Sequence, residues 1–380
     1  MAGGWSSAGA PGSWRLTAGM FEAIAADDHL LRRLAALPPE RLPALLGSAA
    51  ITFLIRRDRP AELAGYFPEP GGSQPPFDDG FFPAFRSFCA ERAADIIEVC
   101  HRRRYQMNEV ARCAQAVLGI AAVSGGRAAP MAPVSLVDLG TGAGLGLQLD
   151  RYRYRVGPGP HGPVEAGLTL DCDVHGPISP PPAELPPITT KVGIDLDPVD
   201  LADPAARAWL QACTPPEASA LSRLSAAMSI ARRHPEPVIT GDLIDVLPGV
   251  LDGIPRQQRV IVVDTYVAVF LSEDRRARLA EILAQAGRNR PVTWLSLDPL
   301  VPLGPSGQHS VQGLPLPPEL IRDYQRDGVF AVLGARVFGE GDDRGRLLAR
   351  AHPSGGWIQW LSGEPAPSGQ LTRANEPDGG

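Results

Sequence analysis

Five short Val/Ile-rich runs in the second half of the chain constrain the fold most. They are VSLVDLG from Val134, KVGIDLD from Lys191, PVITGD from Pro237, RVIVVDTY from Arg259 and PVTWLSLDP from Pro291. Runs this short, apolar throughout and closing in Asp, Gly, Ser or Thr, are the pattern of strands buried on both faces. Helical periodicity fills the later gaps, in PAARAWLQAC, SALSRLSAAMSIARRH and SEDRRARLAEILAQAGR. Buried strands alternating with helices predict an α/β fold with a parallel sheet and crossover helices. In such sheets ligands sit at the carboxyl ends of the strands, where these acids and glycines lie.

The first third of the chain reads differently. Residues 15 to 124 carry apolar positions at spacings of three and four, as in Phe21, Ile24, Leu30, Leu31 and Leu34. The reading is a helical N-terminal domain over 1–130 and a Rossmann-like sheet domain over 131–362. An insertion at 151–190, rich in Gly and Pro, is expected to form a β-rich cap over the ligand. A Pro/Gly loop falls at 300–320. FAVLGARVFG, LLARAHP and GGWIQWL read as terminal strands, an antiparallel pair among them completing the sheet. A disordered tail is expected over 363–380.

Composition excludes some function classes. The formal net charge is −6, with acids and bases interspersed, which argues against a protein that coats nucleic acid. No apolar run is long enough to span a bilayer, and MAGGWSSAGAPGSW lacks the basic start and apolar core of a signal peptide. The five cysteines form no CxxC pair and are odd in number, which fits a reducing cytoplasm. The expectation is a cytoplasmic protein with a small-molecule substrate and neither nucleic-acid nor membrane partners. Its oligomeric state stays open.

VDLGTGAGLGLQL, starting at Val137, runs from a strand into a glycine ladder. It is not a phosphate loop of the GxxxxGK[ST] kind, because no lysine follows. It is not the dinucleotide fingerprint either, because GxGxxG needs glycine where Leu145 stands. The spacing is Gly140-x-Gly142-x-Gly144 with Asp138 just ahead. That pattern suits a nucleoside ligand approached closely by backbone, Thr141 included. Asp195, followed by Leu196, ends the second strand, where an acid can accept from both ribose hydroxyls. Asp242, followed by Leu243, ends the third and could accept from an adenine amino group while the leucine packs the ring. Asp264 ends the fourth. Four such strand ends point to an S-adenosyl-L-methionine site.

QMNEVARC, LVDLGTGAGLGLQLDRYRY, VGIDLDPVDLADPAARAWLQAC, the Gly-Asp of TGDLIDVLP and AHPSGGWIQWL also carry a resemblance. From about Phe21 to Leu361 the chain resembles the DUF2332 family of actinobacterial proteins. That resemblance implies a methyltransferase-type Rossmann fold behind a helical N-terminal part, and a cofactor more than a reaction. The chain departs from the family pattern at Asp264-Thr265-Tyr266, where a His-Ser-Trp type of run is usual. It departs again at Leu297-Asp298-Pro299, where an Asn-Glu is expected. Both departures suggest an altered substrate pocket.

The remaining candidates come from local spacing. Asn108 and Arg112 read as four apart on a helix, with Glu109 between them, and are expected to line an acceptor pocket. Alternation in DRYRYR puts Arg151, Arg153 and Arg155 on one side and Tyr152 and Tyr154 on the other; Arg151 is a candidate for holding a carboxylate. Asp298 is a further candidate for the substrate. Asp171, Asp173 and His175 share one face of LTLDCDVH, which reads as a half-solvated strand, with no metal assigned. His352 could serve as a general base because imidazole titrates near neutral pH. The leading expectation is an S-adenosylmethionine-dependent methyltransferase acting on a small polar molecule of specialised metabolism. Asp264 and Tyr266 would orient or deprotonate the acceptor. A non-methylating enzyme on the same fold and a non-catalytic ligand-binding protein are the alternatives.

Overall fold

The fold is described from a computed structural model covering residues 15–73, 75–124, 131–157, 159–299, 310–327, 330–339 and 344–361. The expected disordered tail at 363–380 lies outside the described residues. The chain divides into two compact units: 1–110 with 142–148 and 197–235 in one, 111–141 with 149–196 and 236–380 in the other.

The first unit is helical. It contains α1 (Arg15–Ala25), α2 (Asp28–Ala35), α3 (Pro43–Asp58), α4 (Phe81–Glu91) and α5 (Ala93–Arg102). Later in the chain it adds α7 (Pro204–Cys213) and α8 (Ala218–Arg233). Helix starts are set by local chemistry. Asp27 accepts from the amides of His29 and Leu30, and Asp203 accepts from those of Ala205 and Ala206 ahead of Pro204. The apolar stripes meet in one core that includes Leu16, Met20, Ile51, Phe85, Ile96 and Trp209. Inside it, Glu217 accepts from the Thr17 amide at 3.3 Å and hydroxyl at 3.2 Å.

The segment holding Asn108 is not helical. The helix starts only at Arg112, so Asn108, Glu109 and Arg112 do not share a helix face. The chain after α5 is tied down by side chains instead. Arg41 donates to the carbonyls of Cys100 and Arg103, and Trp209 donates to that of Arg104 at 2.8 Å. These bonds satisfy the carbonyls at the end of α5 and keep the residues after it extended.

The second unit holds one mixed sheet. Its strands are β1 (Val134–Leu139), β2 (Arg153–Val156), β3 (Pro160–His161), β4 (Thr169–His175), β5 (Ile188–Asp195), β6 (Val238–Thr240), β7 (Arg259–Thr265), β8 (Val292–Pro299), β11 (Ala331–Phe338), β12 (Arg344–Ala351) and β13 (Trp357–Trp360). Their order is β3-β2-β4-β13-β12-β11-β8-β7-β1-β5-β6. A separate pair, β9 (Ser310–Val311) and β10 (Leu314–Pro315), and the helix α11 (Pro318–Asp327) come after β8. The stretch from β6 to β8 is parallel, and its order turns back at β1: the chain goes outward to β5 and β6, then returns to β7 and β8. The five predicted runs are these strands. The terminal strands form an antiparallel run of three, β11 to β13, where a pair was expected.

The insertion was expected to cap the ligand. Its strands β2, β3 and β4 are instead hydrogen-bonded into the sheet, at the edge opposite β6, through a parallel pairing of β4 with β13. The expected alternation is present: Tyr152 and Tyr154 are buried, while Arg155 is exposed and pairs with Asp171.

Helices cover both sheet faces. Val137, Leu139, Val262 and Trp294 pack with Leu247 and Leu251 of α9 (Leu243–Gly253) and Leu279 and Leu283 of α10 (Glu273–Gly287). The other face holds α6 (Arg112–Val123), which packs against β4, β7, β8 and β11. In the strand order β4 and β7 are five spacings apart, about 24 Å in a flat sheet, more than twice the ~10 Å girth of a helix. The helix therefore runs across the strands, its 12 residues giving about 18 Å of axis, and every residue from Arg112 to Ala121 is buried. Small side chains allow this: a Cβ on Gly119 would lie 2.7 Å from Leu295. Gln115 anchors the helix by donating to the carbonyls of His352 and Trp357, both at 2.9 Å. No helix among the described residues is long and apolar enough to cross a membrane.

Candidate functional site

The point where the strand order turns back lies between β5, β1 and β7, and the glycine loop leaves from its centre. The amides of Gly140 and Thr141 both donate to the carbonyl of Ile194, at 2.8 and 3.2 Å. The first turn of the loop is thus bonded to β5 immediately before Asp195. The Thr141 hydroxyl donates to the Asp138 carboxylate at 2.6 Å. Burial raises the Asp138 carboxyl to about 7; the Thr141 bond opposes this, and the charges of Asp195 and Asp264 add to it. Gly193 makes the packing possible, because a Cβ there would lie 2.5 Å from the Thr141 methyl. At the end of β5, Asp195 is half-buried, and Leu196 next to it is 65% exposed, a large apolar side chain left in solvent.

Gly140, Gly142 and Gly144 all have positive φ, at 64°, 57° and 69°, so the ladder is built of left-handed turns. Gly142 and Gly144 belong to the helical unit. There Asn108 accepts from the Ala143 amide at 3.1 Å, and its amide group occupies the space a Cβ on Gly142 would need. Asn108 thus clamps the loop. The Glu109 side chain is 6% exposed and pairs with Arg223 at 3.4 Å.

At the end of β6, Asp242 caps α9 by accepting from the Ile244 amide at 2.9 Å. Arg275 of α10 reaches both of its oxygens, at 2.5 and 2.6 Å. Leu243 starts the helix and packs on the core of that face. Asp242 is thus engaged by a helix cap and an arginine, which an adenine amino group would have to share, while its side chain remains 31% exposed.

Asp264 and Asp298, at the ends of β7 and β8, are enclosed, at 1% and 0% exposure. Register explains the separation from Asp138. Asp264 lies opposite Leu139, and Asp138 opposite Val263, so the two acids point to opposite faces of the sheet. On its own face Asp264 accepts from Trp294 Nε1 at 2.6 Å, from the Ser296 hydroxyl at 3.2 Å and from the Ala268 amide at 3.3 Å. Asp298 accepts from the Val269 amide at 3.2 Å and lies 2.8 Å from the same Ser296 hydroxyl. The two acids hold the short 3-10 turn Ala268–Phe270 by its amides. Burial lifts Asp264 to about 6, against the pull of the bonds from Trp294, Ala268, Ser296 and Val267. Burial and the charge of Asp264 hold Asp298 well above the usual carboxylate range. An acceptor-orienting role for Asp264, or a substrate contact for Asp298, would need an open carboxylate, and neither acid has one.

Tyr266 stands between these groups. Its φ of 62° is left-handed, a conformation uncommon for a bulky side chain. The guanidinium of Arg112 lies 3.8 Å from its ring centroid. Its hydroxyl is buried with no hydrogen-bond partner among the described residues. Burial pushes the phenol up to about 12; Arg112 opposes this, while Asp298 and Tyr324 add to it. Arg112 also donates to the carbonyl of Pro353 at 2.7 Å.

His352 accepts at Nδ1 from the Ser354 amide at 3.2 Å, and its carbonyl serves Gln115 and Gly355, so it shapes the turn between β12 and β13. Arg151 is half-buried, and its Nε lacks an acceptor among the described residues. Trp294, Ser296 and Gln115 escaped the sequence reading. A Trp or Ser inside an apolar strand was the available signal, and only pairing register gives it meaning. A depression lined by Pro133, Thr189, Pro255, Gln258, Arg259 and Pro291 lies at the amino ends of the strands, opposite the acids.

The chain belongs to the DUF2332 family, whose description reads "uncharacterized protein conserved in bacteria"; the match spans residues 5–360. Among curated proteins no relative matches.

Proposed function

We propose that this protein is an S-adenosylmethionine-dependent methyltransferase acting on a small polar molecule, on a methyltransferase-type Rossmann sheet. The observation that carries the reading is the bonding of Gly140 and Thr141 to Ile194, which sets the glycine turn beside Asp195 and Leu196 where the strand order turns back. The order β6-β5-β1-β7-β8 supports it, since ligands of open α/β sheets bind at such a turning point. The residues fit an adenosine in two respects. Asp195, half-buried at the end of β5, sets a carboxylate beside the glycine turn where a ribose diol would lie, and Leu196 offers an exposed apolar plate for the ring. It fits less well in a third, because Asp242 is held by Arg275.

When bound, the cofactor would supply an electrophilic methyl group. The protein's part is then positioning, and proton removal for O or N acceptors. Tyr266 is the residue best suited to meet an acceptor, since its hydroxyl has no partner among the described residues and Arg112 fixes its ring. A reducing, cytoplasmic setting fits the five free buried cysteines.

Isothermal titration with S-adenosylmethionine tests the first step. Binding should appear in the wild type and weaken sharply in Asp195→Ala. Absence of heat and of protection against unfolding would sink the reading. Release of S-adenosylhomocysteine with candidate acceptors separates methyl transfer from its alternative, a non-methylating enzyme or ligand-binding protein. The enclosure of Asp264 and Asp298 is the observation that favours that alternative.

A further inference from the structure

We propose that Asp264 and Asp298 hold a single proton between them, carried by Asp298 and relayed through the Ser296 hydroxyl, and that the neutral Asp298 thereby positions the loop bearing Tyr266. This rests on the β7–β8 network alone and is independent of methyl transfer.

Hydrogen counting carries the inference. A serine hydroxyl has one proton to donate. The Ser296 oxygen nevertheless lies 3.2 Å from Asp264 and 2.8 Å from Asp298. With both acids ionised, one of these contacts would set a carboxylate against a lone pair in the protein interior, at high cost. With one acid protonated, both contacts become hydrogen bonds. Asp264 is the poorer proton carrier, because Trp294 Nε1 and the amides of Val267 and Ala268 all donate to it and favour its charged form. Asp298 accepts from one amide, that of Val269. The proton therefore sits on Asp298, which donates to Ser296, which donates to Asp264.

The surroundings agree. Arg276 of α10 is the cation that acts on Asp298, and its own guanidinium is spent on the carbonyls of Leu271 and Ala268. Asp138 lies on the other face of the sheet and is itself raised by the charge of Asp264; Asp298 raises the Tyr266 phenol, and Arg112 and Tyr324 also act on Tyr266. On β11 the residue paired with Asp298 is Val332, which cannot titrate. The upward shift of the Asp298 carboxyl, from burial first and Asp264 second, points the same way. An acid raised in the fold stabilises it below its unfolded pKa, and that contribution is lost as pH rises through the folded value. Alkali therefore ionises Asp298 and loosens the loop.

Isosteric amides separate the two carboxyls. Asp298→Asn keeps a donor toward Ser296 and an acceptor for Val269, so it should fold with a urea midpoint near the wild type's and lose the alkaline decline. Asp264→Asn cannot accept from every donor around it. It should lower amide-exchange protection at Ala268 and Val269 by roughly tenfold or more, or fail to fold. In the wild type, infrared difference spectra against Asp298→Asn should contain a protonated carboxyl band at neutral pH. Tolerance of Asp264→Asn with failure of Asp298→Asn would overturn the assignment. So would an alkaline decline unchanged in Asp298→Asn, or a difference spectrum with no such band.

Discussion

Gly193→Ala should destabilise the protein although its backbone is ordinary extended strand. In a strand interior, alanine normally gains about 0.5–1 kcal/mol over glycine through lower chain entropy. Here the new Cβ would lie 2.5 Å from Thr141 Cγ2, 3.0 Å from its Cβ and 3.1 Å from its Oγ1. Comfortable carbon contacts are about 3.5–4.0 Å, so roughly 1 Å of overlap must be relieved. Thr141 has little room to retreat. Its hydroxyl is held by Asp138 at 2.6 Å, and its amide and that of Gly140 are both bonded to Ile194. Overpacking of this kind costs about 1–3 kcal/mol. Thr141→Ser removes the closest atom and keeps the hydroxyl, at about 0.5–1.5 kcal/mol for a lost buried methyl. In that background Gly193→Ala should cost less than half as much, leaving a coupling of about 1 kcal/mol in a double-mutant cycle. Urea unfolding of the four proteins gives the measurement. Additivity within about 0.5 kcal/mol would refute the packing of Thr141 on Gly193, and with it the docking of the glycine turn on β5.

Further outcomes rest on single contacts. Glu217 is buried and raised to about 7 by burial, against the pull of the Thr17 amide and hydroxyl. Its contribution is complete below its ordinary range near 4.5 and lost as pH rises through about 7. Glu217→Gln should therefore flatten the decline in stability between those values, as thermal melts at several pH values would record. Gln115→Leu removes both bonds to the β12–β13 turn and should cost about 1–3 kcal/mol, measured by urea midpoint. Leu196→Ser, at an exposed position, should leave stability within about 0.5 kcal/mol while weakening S-adenosylmethionine binding about tenfold by calorimetry. Equal binding by the two proteins would count against Leu196 as an adenine contact.

The strands were legible because fully buried strands need unbroken apolar runs, and the ends of VSLVDL, RVIVVDT and VTWLSLDP were marked by the acids themselves. Legibility stopped where long-range pairing takes over. No local signal states that LTLDCDV pairs with β13, so the insertion looked like a cap. Nor does sequence state which residue of one strand lies opposite which of the next. That single fact puts Asp138 and Asp264 on different faces. QMNEVARC has helical spacing, yet the carbonyls before it are claimed by Arg41 and Trp209, and such tertiary bonds override weak helical preference.

The burial of α6 imposes an order on synthesis. Helix α6 is complete at Val123, but the strand β11 that covers it begins at Ala331. About 200 residues must be added in between, which at ribosomal rates takes roughly 10–40 s. Until then RCAQAVLGIAAV lacks the part of its packing that β11 supplies, although β4, β7 and β8 are made earlier. Nascent chains and truncations ending before Ala331 should therefore depend on chaperones, which should be released when β11, β12 and β13 close.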